Sequence, residues 1–305
     1  MYDLAIIGAG TAGLSAAIYA ARAGLIFTVL EQDGIGGGQI TSAHTVENYP
    51  GCPKINGGEL GEIFKQQAVS LGAKIKFAIV NEITDCGEYK EISIKNSQSI
   101  RAKGVIVATG AAPRKLGSEG EDKFTGRGVS YCAVCDGAFF ADKDVFVIGG
   151  GDTAVEDAIY LASICKTVTI VLRRDEFRAS PRRVSHMLSL PNIEVRYKET
   201  LAEIKGDKLV KSAVLRSVET GELTEHKADG IFVAVGVEPE TDFLKNLPIE
   251  FEDGYIVADE TCKTSVDGIY AAGDIRKKPL RQLITAAADG AVAATAAAQY
   301  VNMRR

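Results

Sequence analysis

At 305 residues, with 46% hydrophobic and 25% charged positions, the chain has ordinary globular composition and exceeds what one core usually serves, so two domains are expected. Its net charge of −5 argues against nucleic acid or an anionic membrane as the main partner, since both attract basic surfaces. Six cysteines in a chain this long, only Cys132 and Cys135 of them closely spaced, do not form a secreted disulfide framework.

A strand-like run, residues 2–7, begins directly after Met1 and leaves no room for a signal peptide, so a cytoplasmic location is expected. No apolar stretch reaches the ~20 residues of a spanning helix. The run enters Gly8-Ala-Gly10-Thr11-Ala12-Gly13, and an amphipathic helix follows over residues 14–23. Glycines at this spacing permit a tight turn, close approach of a pyrophosphate and close helix packing, and the helix N-terminus faces the phosphates. A tight turn without ligand is the bland alternative. Glu31 ends the next strand, where a carboxylate can accept ribose hydroxyls. Residues 89–95 alternate as an antiparallel strand does, and Gly104 to Pro113 reads as a closing strand and turn.

Cys132-Ala-Val-Cys135-Asp136 comes next, and two-residue spacing allows a strained, reducible disulfide with one thiol of lowered pKa, which makes redox chemistry the functional reading. Half of a zinc site is the other reading, but there is no second CxxC, and His44, His186 and His226 lack ligand spacing; no metal is expected. Asp136 is placed by sequence to move a proton on or off a thiol, or else to form an Asp-Gly turn. Cys52, Cys86, Cys165 and Cys262 are expected to be inert.

The chain then repeats itself. Phe146-Val-Ile-Gly149-Gly-Gly151-Asp152-Thr153-Ala154 echoes the first turn, a helix over residues 155–163 follows, and residues 230–239 echo residues 104–113 in both glycines and the proline. The position that Glu31 holds after Gly8 is held after Gly149 by Leu172, followed by Arg173, Arg174 and Arg178. A carboxylate there suits a free 2′-hydroxyl, whereas guanidinium groups suit a 2′-phosphate, so NADPH is expected over NADH; a plain surface cluster is the alternative reading of these three arginines. Arg182 and Arg183 either extend this patch or form a solvated helix face. Residues 209–218 read as an antiparallel strand, residues 268–274 as a further buried strand, and residues 282–301 as a long helix that rejoins the first domain. The expected fold is α/β, with two Rossmann-like, three-layer ββα dinucleotide-binding domains, the second inserted into the first: residues 1–113 with 245–305, and residues 114–244.

Taken in order, glycine turn, CxxC-Asp, second glycine turn, arginine cluster and Gly-Asp tail resemble the low-molecular-weight thioredoxin reductases over nearly the whole chain. That resemblance implies FAD on the first turn, with Gly8, Gly10, Thr11, Ala12, Gly13, Glu31, Gln32, Gly38, Gln39, Asn48 in the segment 46–51, Thr109, Gly110, Gly273, Asp274, Arg281 and Gln282 around it. It implies NADPH at Gly149, Gly151, Asp152, Thr153, Ala154, Glu156, Arg173, Arg174, Arg178 and Gly236. By the same likeness Cys135 lies against the flavin, Cys132 attacks the disulfide of thioredoxin or a thioredoxin-like protein, and Asp136 is the acid/base group. Hydride passes from NADPH to FAD and electrons continue to the cysteine pair. Relatives form homodimers and rotate the NADPH domain between two arrangements. Two departures stand out: Leu172 where many relatives have histidine, and Glu240 where asparagine is common. The alternatives are a ferredoxin-linked reductase or small-dithiol oxidase of the same fold, a peroxiredoxin reductase lacking the usual added modules, and a non-catalytic nucleotide-binding redox sensor.

Overall fold

The computed structural model describes residues 1–34, 36–42, 46 and 48–304, with Ser42 and Cys135 described by their backbone alone. The chain divides into two units, Met1–Ala112 with Glu238–Arg305 and Pro113–Val237, so the second is inserted into the first, as expected.

The first unit opens with β1 (Tyr2–Ile7), α1 (Thr11–Arg22), β2 (Phe27–Glu31), α2 (Gly57–Ser70) and β3 (Ile75–Phe77). An antiparallel meander follows in β4 (Val80–Asp85), β5 (Lys90–Ile94) and the first half of β6 (Ile100–Val107). Strand β1 pairs in parallel with both β2 and β6. Because successive side chains of a strand point to opposite faces, Leu4 and Ile6 enter one core and Ala5 and Ile7 the other. Both faces are covered, which is why β1 reads as an unbroken apolar run. Short strand β7 (Ala111–Pro113) carries the chain out of the unit.

The inserted unit repeats the plan with α3 (Glu121–Phe124), β8 (Val129–Ser130), α4 (Ala133–Asp136), β9 (Asp144–Ile148), α5 (Asp152–Ala162), β10 (Thr167–Leu172), α6 (Pro181–Leu188) and β11 (Ile193–Tyr197). An antiparallel sheet of β12 (Glu199–Gly206), β13 (Val210–Ser217) and β14 (Leu223–Lys227) precedes β15 (Gly230–Val233). The parallel sheet runs β11-β10-β9-β15-β8. Val145 and Val147 of β9 face the helices, while Phe146 and Ile148 face the antiparallel sheet. The architecture is therefore two ββα units, in agreement with the repeat read from the sequence.

Strand β16 (Val237–Pro239) leads back, and β17 (Phe251–Glu252), β18 (Tyr255–Ile256), β19 (Ile269–Ala271) and α7 (Leu283–Asn302) complete the first unit. The return crossing falls earlier than the expected boundary at residue 244. Leu244 is fully buried with Leu247, Ile249 and Ile256 in the first unit's core, so residues 238–244 belong there. Helix α7 lies against α1 so closely that a Cβ on Gly290 would sit 2.1 Å from the Ala12 carbonyl oxygen. No helix among the described residues is long and apolar enough to cross a membrane.

Candidate active site and nucleotide cradles

In the first unit, the turn between β1 and α1 is built from positions where a side chain has no room. Gly8 has a φ of +99°, and a Cβ on Gly13 would sit 1.9 Å from the Gly8 carbonyl oxygen. Gly10 caps α1 with extended backbone and no side-chain acceptor, and the first turn of the helix holds no acidic residue. Its N-terminal amides thus remain available to an anion. A second glycine segment closes on the first: Gly37 donates its N–H to the Ala9 carbonyl at 2.7 Å, and a Cβ on Gly38 would lie 2.8 Å from the Gly10 Cα.

Glu31, at the end of β2, is buried, and its carboxylate accepts the N–H of Ala9 at 2.5 Å and of Gln32 at 2.7 Å. It pins the glycine turn to the strand end and retains acceptor capacity for a ribose hydroxyl. The Gln32 side chain donates to Glu240 Oε2 at 3.5 Å, and Thr109 Oγ1 donates to the Glu240 carbonyl at 3.3 Å. Glu240 is therefore tied to two of the residues expected around FAD. Gln39 donates from Nε2 to the Ala111 carbonyl, beside Gly110, and Asn48 Nδ2 donates to Gln282 Oε1 at 2.9 Å. Glu47 and His44 lie outside the described residues.

Gly273 and Asp274 follow β19. A Cβ on Gly273 would meet Ala12 Cβ at 2.8 Å, which seats this segment against the start of α1. Asp274 Oδ1 is buried without a hydrogen bond, and burial pushes its carboxyl up against the opposing pull of Lys278 and Arg281. Its ion-pair partner, Lys278 Nζ, lies 3.7 Å from Oδ1, too far for a good hydrogen bond, so this buried acceptor beside a glycine cradle keeps capacity for a ligand that brings hydroxyl groups. Arg281 stacks at 3.8 Å on the Tyr255 ring with its Nε buried and unbonded. Behind Asp274, Asp289 of α7 accepts from Arg276 and Lys278, each at 2.9 Å, and from the Gly273 N–H at 3.0 Å. In the sequence Asp289 is a single acid within an alanine-rich helix. A lone charge on such a face was the available signal of buried partners.

In the inserted unit, Gly149 begins the matching turn, where a Cβ would come within 2.2 Å of the Ala234 carbonyl oxygen and 2.9 Å of Ala154 Cβ. Gly151 caps α5 without a side-chain acceptor. Leu172 is buried at the end of β10 and packs against Gly150, so this departure serves the turn as a spacer. Arg178 donates its backbone N–H to the Gly150 carbonyl at 2.8 Å, which anchors the arginine loop on the glycine turn. The side chains of Arg173, Arg174 and Arg178 are exposed and make no ion pair among the described residues. Arg183, by contrast, is held by Asp152 at 3.1 Å and Glu156 at 2.9 Å, which removes it from the free cluster and occupies two carboxylates expected near NADPH. Thr153 is exposed at the start of α5, and Gly236, with a φ of +104°, has open space where a Cβ would be.

The cysteine motif forms the short helix α4. Cys132 is disulfide-bonded, while the Cys135 side chain is outside the described atoms. Cys52, Cys86, Cys165 and Cys262 are free thiols, and burial pushes both Cys165 and Cys262 up to about 11, as suits unreactive groups. Asp136 donates its N–H to the Cys132 carbonyl at 3.2 Å, and its carboxylate accepts from Ser130 Oγ at 2.6 Å. Ser130 was not read from the sequence, since a serine before a CxxC has no pattern of its own.

A duplicated dinucleotide-type unit carrying a disulfide-bonded CxxC cysteine defines a nucleotide-dependent disulfide oxidoreductase. The model of the pyridine nucleotide-disulphide oxidoreductase family matches residues 2–291. A thioredoxin reductase of Peptoclostridium acidaminophilum is 48% identical, covering 99% of this chain and 98% of that protein, and one of Bacillus subtilis is 43% identical over 99% and 95%. The crystal structure of Lactococcus lactis thioredoxin reductase, FR conformation, superposes with a TM-score of 0.85 at 42% identity, covering 99% of this chain and all of that one. The chain belongs to the pyridine nucleotide-disulphide oxidoreductase family and, within it, to the thioredoxin reductases.

Proposed function

We propose that this chain reduces the disulfide of thioredoxin or a thioredoxin-like protein with electrons from NADPH, using FAD as its resident cofactor. The observation that carries the reading is the disulfide-bonded Cys132 in the same unit as a glycine turn flanked by three exposed arginines that make no ion pair among the described residues. Bound FAD and NADPH supply the electron pair that opens the cysteine disulfide.

The residues of the chain do the rest. The α1 amides and the Gly8 to Gly13 turn hold the FAD pyrophosphate, Glu31 a ribose, and Asp274 a further hydroxyl. The α5 turn holds the NADPH pyrophosphate, and Arg173, Arg174 and Arg178 hold the 2′-phosphate. Cys132 attacks the acceptor disulfide as a thiolate, Cys135 resolves the mixed disulfide, and Asp136 carries protons between the enzyme's thiols and the leaving sulfurs. The retained glycine turn and arginines favour this reading over a ferredoxin-linked one. We place the enzyme in the cytoplasm, where four unpaired thiols are the norm, as a homodimer.

Anaerobic mixing with NADPH and, separately, NADH tests the assignment through loss of oxidised-flavin absorbance. Rapid bleaching by NADPH alone, followed by turnover on adding thioredoxin, is expected. No bleaching by either nucleotide overturns it.

A further inference from the structure

Strand β8 ends at Ser130, which is 5% exposed. Its Oγ lies 2.6 Å from Asp136 Oδ2 and 3.2 Å from the Cys132 carbonyl oxygen, and it accepts the Cys132 N–H at 3.1 Å. A hydroxyl has one proton to donate. The shorter, charge-assisted bond to the carboxylate takes it. One buried hydroxyl thereby joins the carboxylate of Asp136 to the backbone of Cys132.

The serine itself is held from the next residue. Tyr131 donates its hydroxyl to Glu121 Oε1 at 2.7 Å, and the buried Glu121 carboxylate also accepts the N–H groups of Leu116, Gly117 and Ser118. The strand entering the redox motif is therefore anchored immediately before the cysteine, which leaves Ser130 little freedom to turn away.

We propose that Ser130 is a positioning residue for disulfide exchange: its bond to Oδ2 orients the Asp136 carboxylate so that Oδ1 is the oxygen that exchanges protons with sulfur. The inference rests on the acid/base role proposed for Asp136. In the exchange, the Cys132–Cys135 dithiol is oxidised and one acceptor disulfide is reduced. A new sulfur–sulfur bond forms as the old one breaks, and the two thiol protons pass to the two leaving sulfurs. Ser130 keeps its own proton throughout.

The test is a double-mutant cycle on the FAD-loaded enzyme, reading thioredoxin reduction and, as a control for folding, bleaching of the flavin by NADPH. Asp136→Asn lowers kcat for thioredoxin about a hundredfold, the scale of one acid–base group. Ser130→Ala lowers it about tenfold, the scale of one charge-assisted hydrogen bond, with the thioredoxin KM within about twofold of wild type and bleaching unchanged. In the Asp136→Asn background, Ser130→Ala produces no further loss, because the group it positions is already gone. Should Ser130→Ala fail to load flavin, Ser130→Cys, nearly isosteric and a weaker donor, takes its place in the cycle with the same expectation. Wild-type turnover in the single serine variant, or losses that multiply in the double variant, overturns the positioning role while leaving Asp136 in place. Full turnover in Asp136→Asn overturns the acid/base assignment itself and the role of Ser130 with it.

Discussion

Three exposed guanidinium groups beside one glycine turn, with no carboxylate engaging them among the described residues, have the chemistry that suits a phosphate dianion. Replacing Arg173 and Arg178 together with alanine should raise the KM for NADPH at least tenfold and leave that for NADH nearly unchanged; equal losses with both nucleotides would sink the 2′-phosphate assignment. Cys132→Ser should abolish thioredoxin reduction and spare flavin bleaching by NADPH, and wild-type turnover in that variant would remove Cys132 from its role. A third residue governs stability. Burial, with Glu156 adding to it, pushes the half-buried Asp157 from 3.8 up to about 7. The folded unit thus favours its protonated form. The stability it contributes is complete below about 3.8, declines as pH rises, and is lost above about 7. Asp157→Asn should flatten the dependence of the melting midpoint on pH across that window, and an unchanged slope would refute the assignment.

At the scale of elements, the contact of α7 with α1 is set by missing side chains. Gly290→Ala forces a methyl against the Ala12 carbonyl oxygen, and overpacking of this kind costs about 1–3 kcal/mol. Because Ala12 lies in the first turn of the helix that opens the glycine cradle proposed for FAD, the variant should melt earlier and release FAD more readily; unchanged melting and flavin content would show that the helices separate freely. The Asp289 network ties the same helix to the Gly273-Asp274 segment. Lys278, with 8% of its side chain exposed beside Asp289 at 13%, is one member of a buried pair, and Lys278→Met should destabilise the unit by roughly 3 kcal/mol, measured by chemical denaturation. Helix, strand and turn positions were largely legible, because 3.6- and 2-residue periodicity and glycine turns are local signals. The return crossing was not. The burial of Leu244 depends on Leu247, Ile249 and Ile256, contacts that no composition shift announces.

For the whole molecule, the repeat of a glycine turn, the paired closing segments and the CxxC between them are written into the order of residues. They determined the ββα class, the insertion and the family. Period-2 patterning and turn chemistry act over a few residues, so a single chain displays them directly. What only the tertiary structure decided are polar partnerships across loops: Glu31 with the Ala9 amide, Glu121 with Tyr131, Arg183 with Asp152 and Glu156, Asp289 with Arg276 and Lys278, and Ser130 with Asp136. Each depends on two side chains or backbones meeting within about 3 Å at a particular orientation. That distance is fixed by how the layers pack, and no periodicity along the chain encodes it.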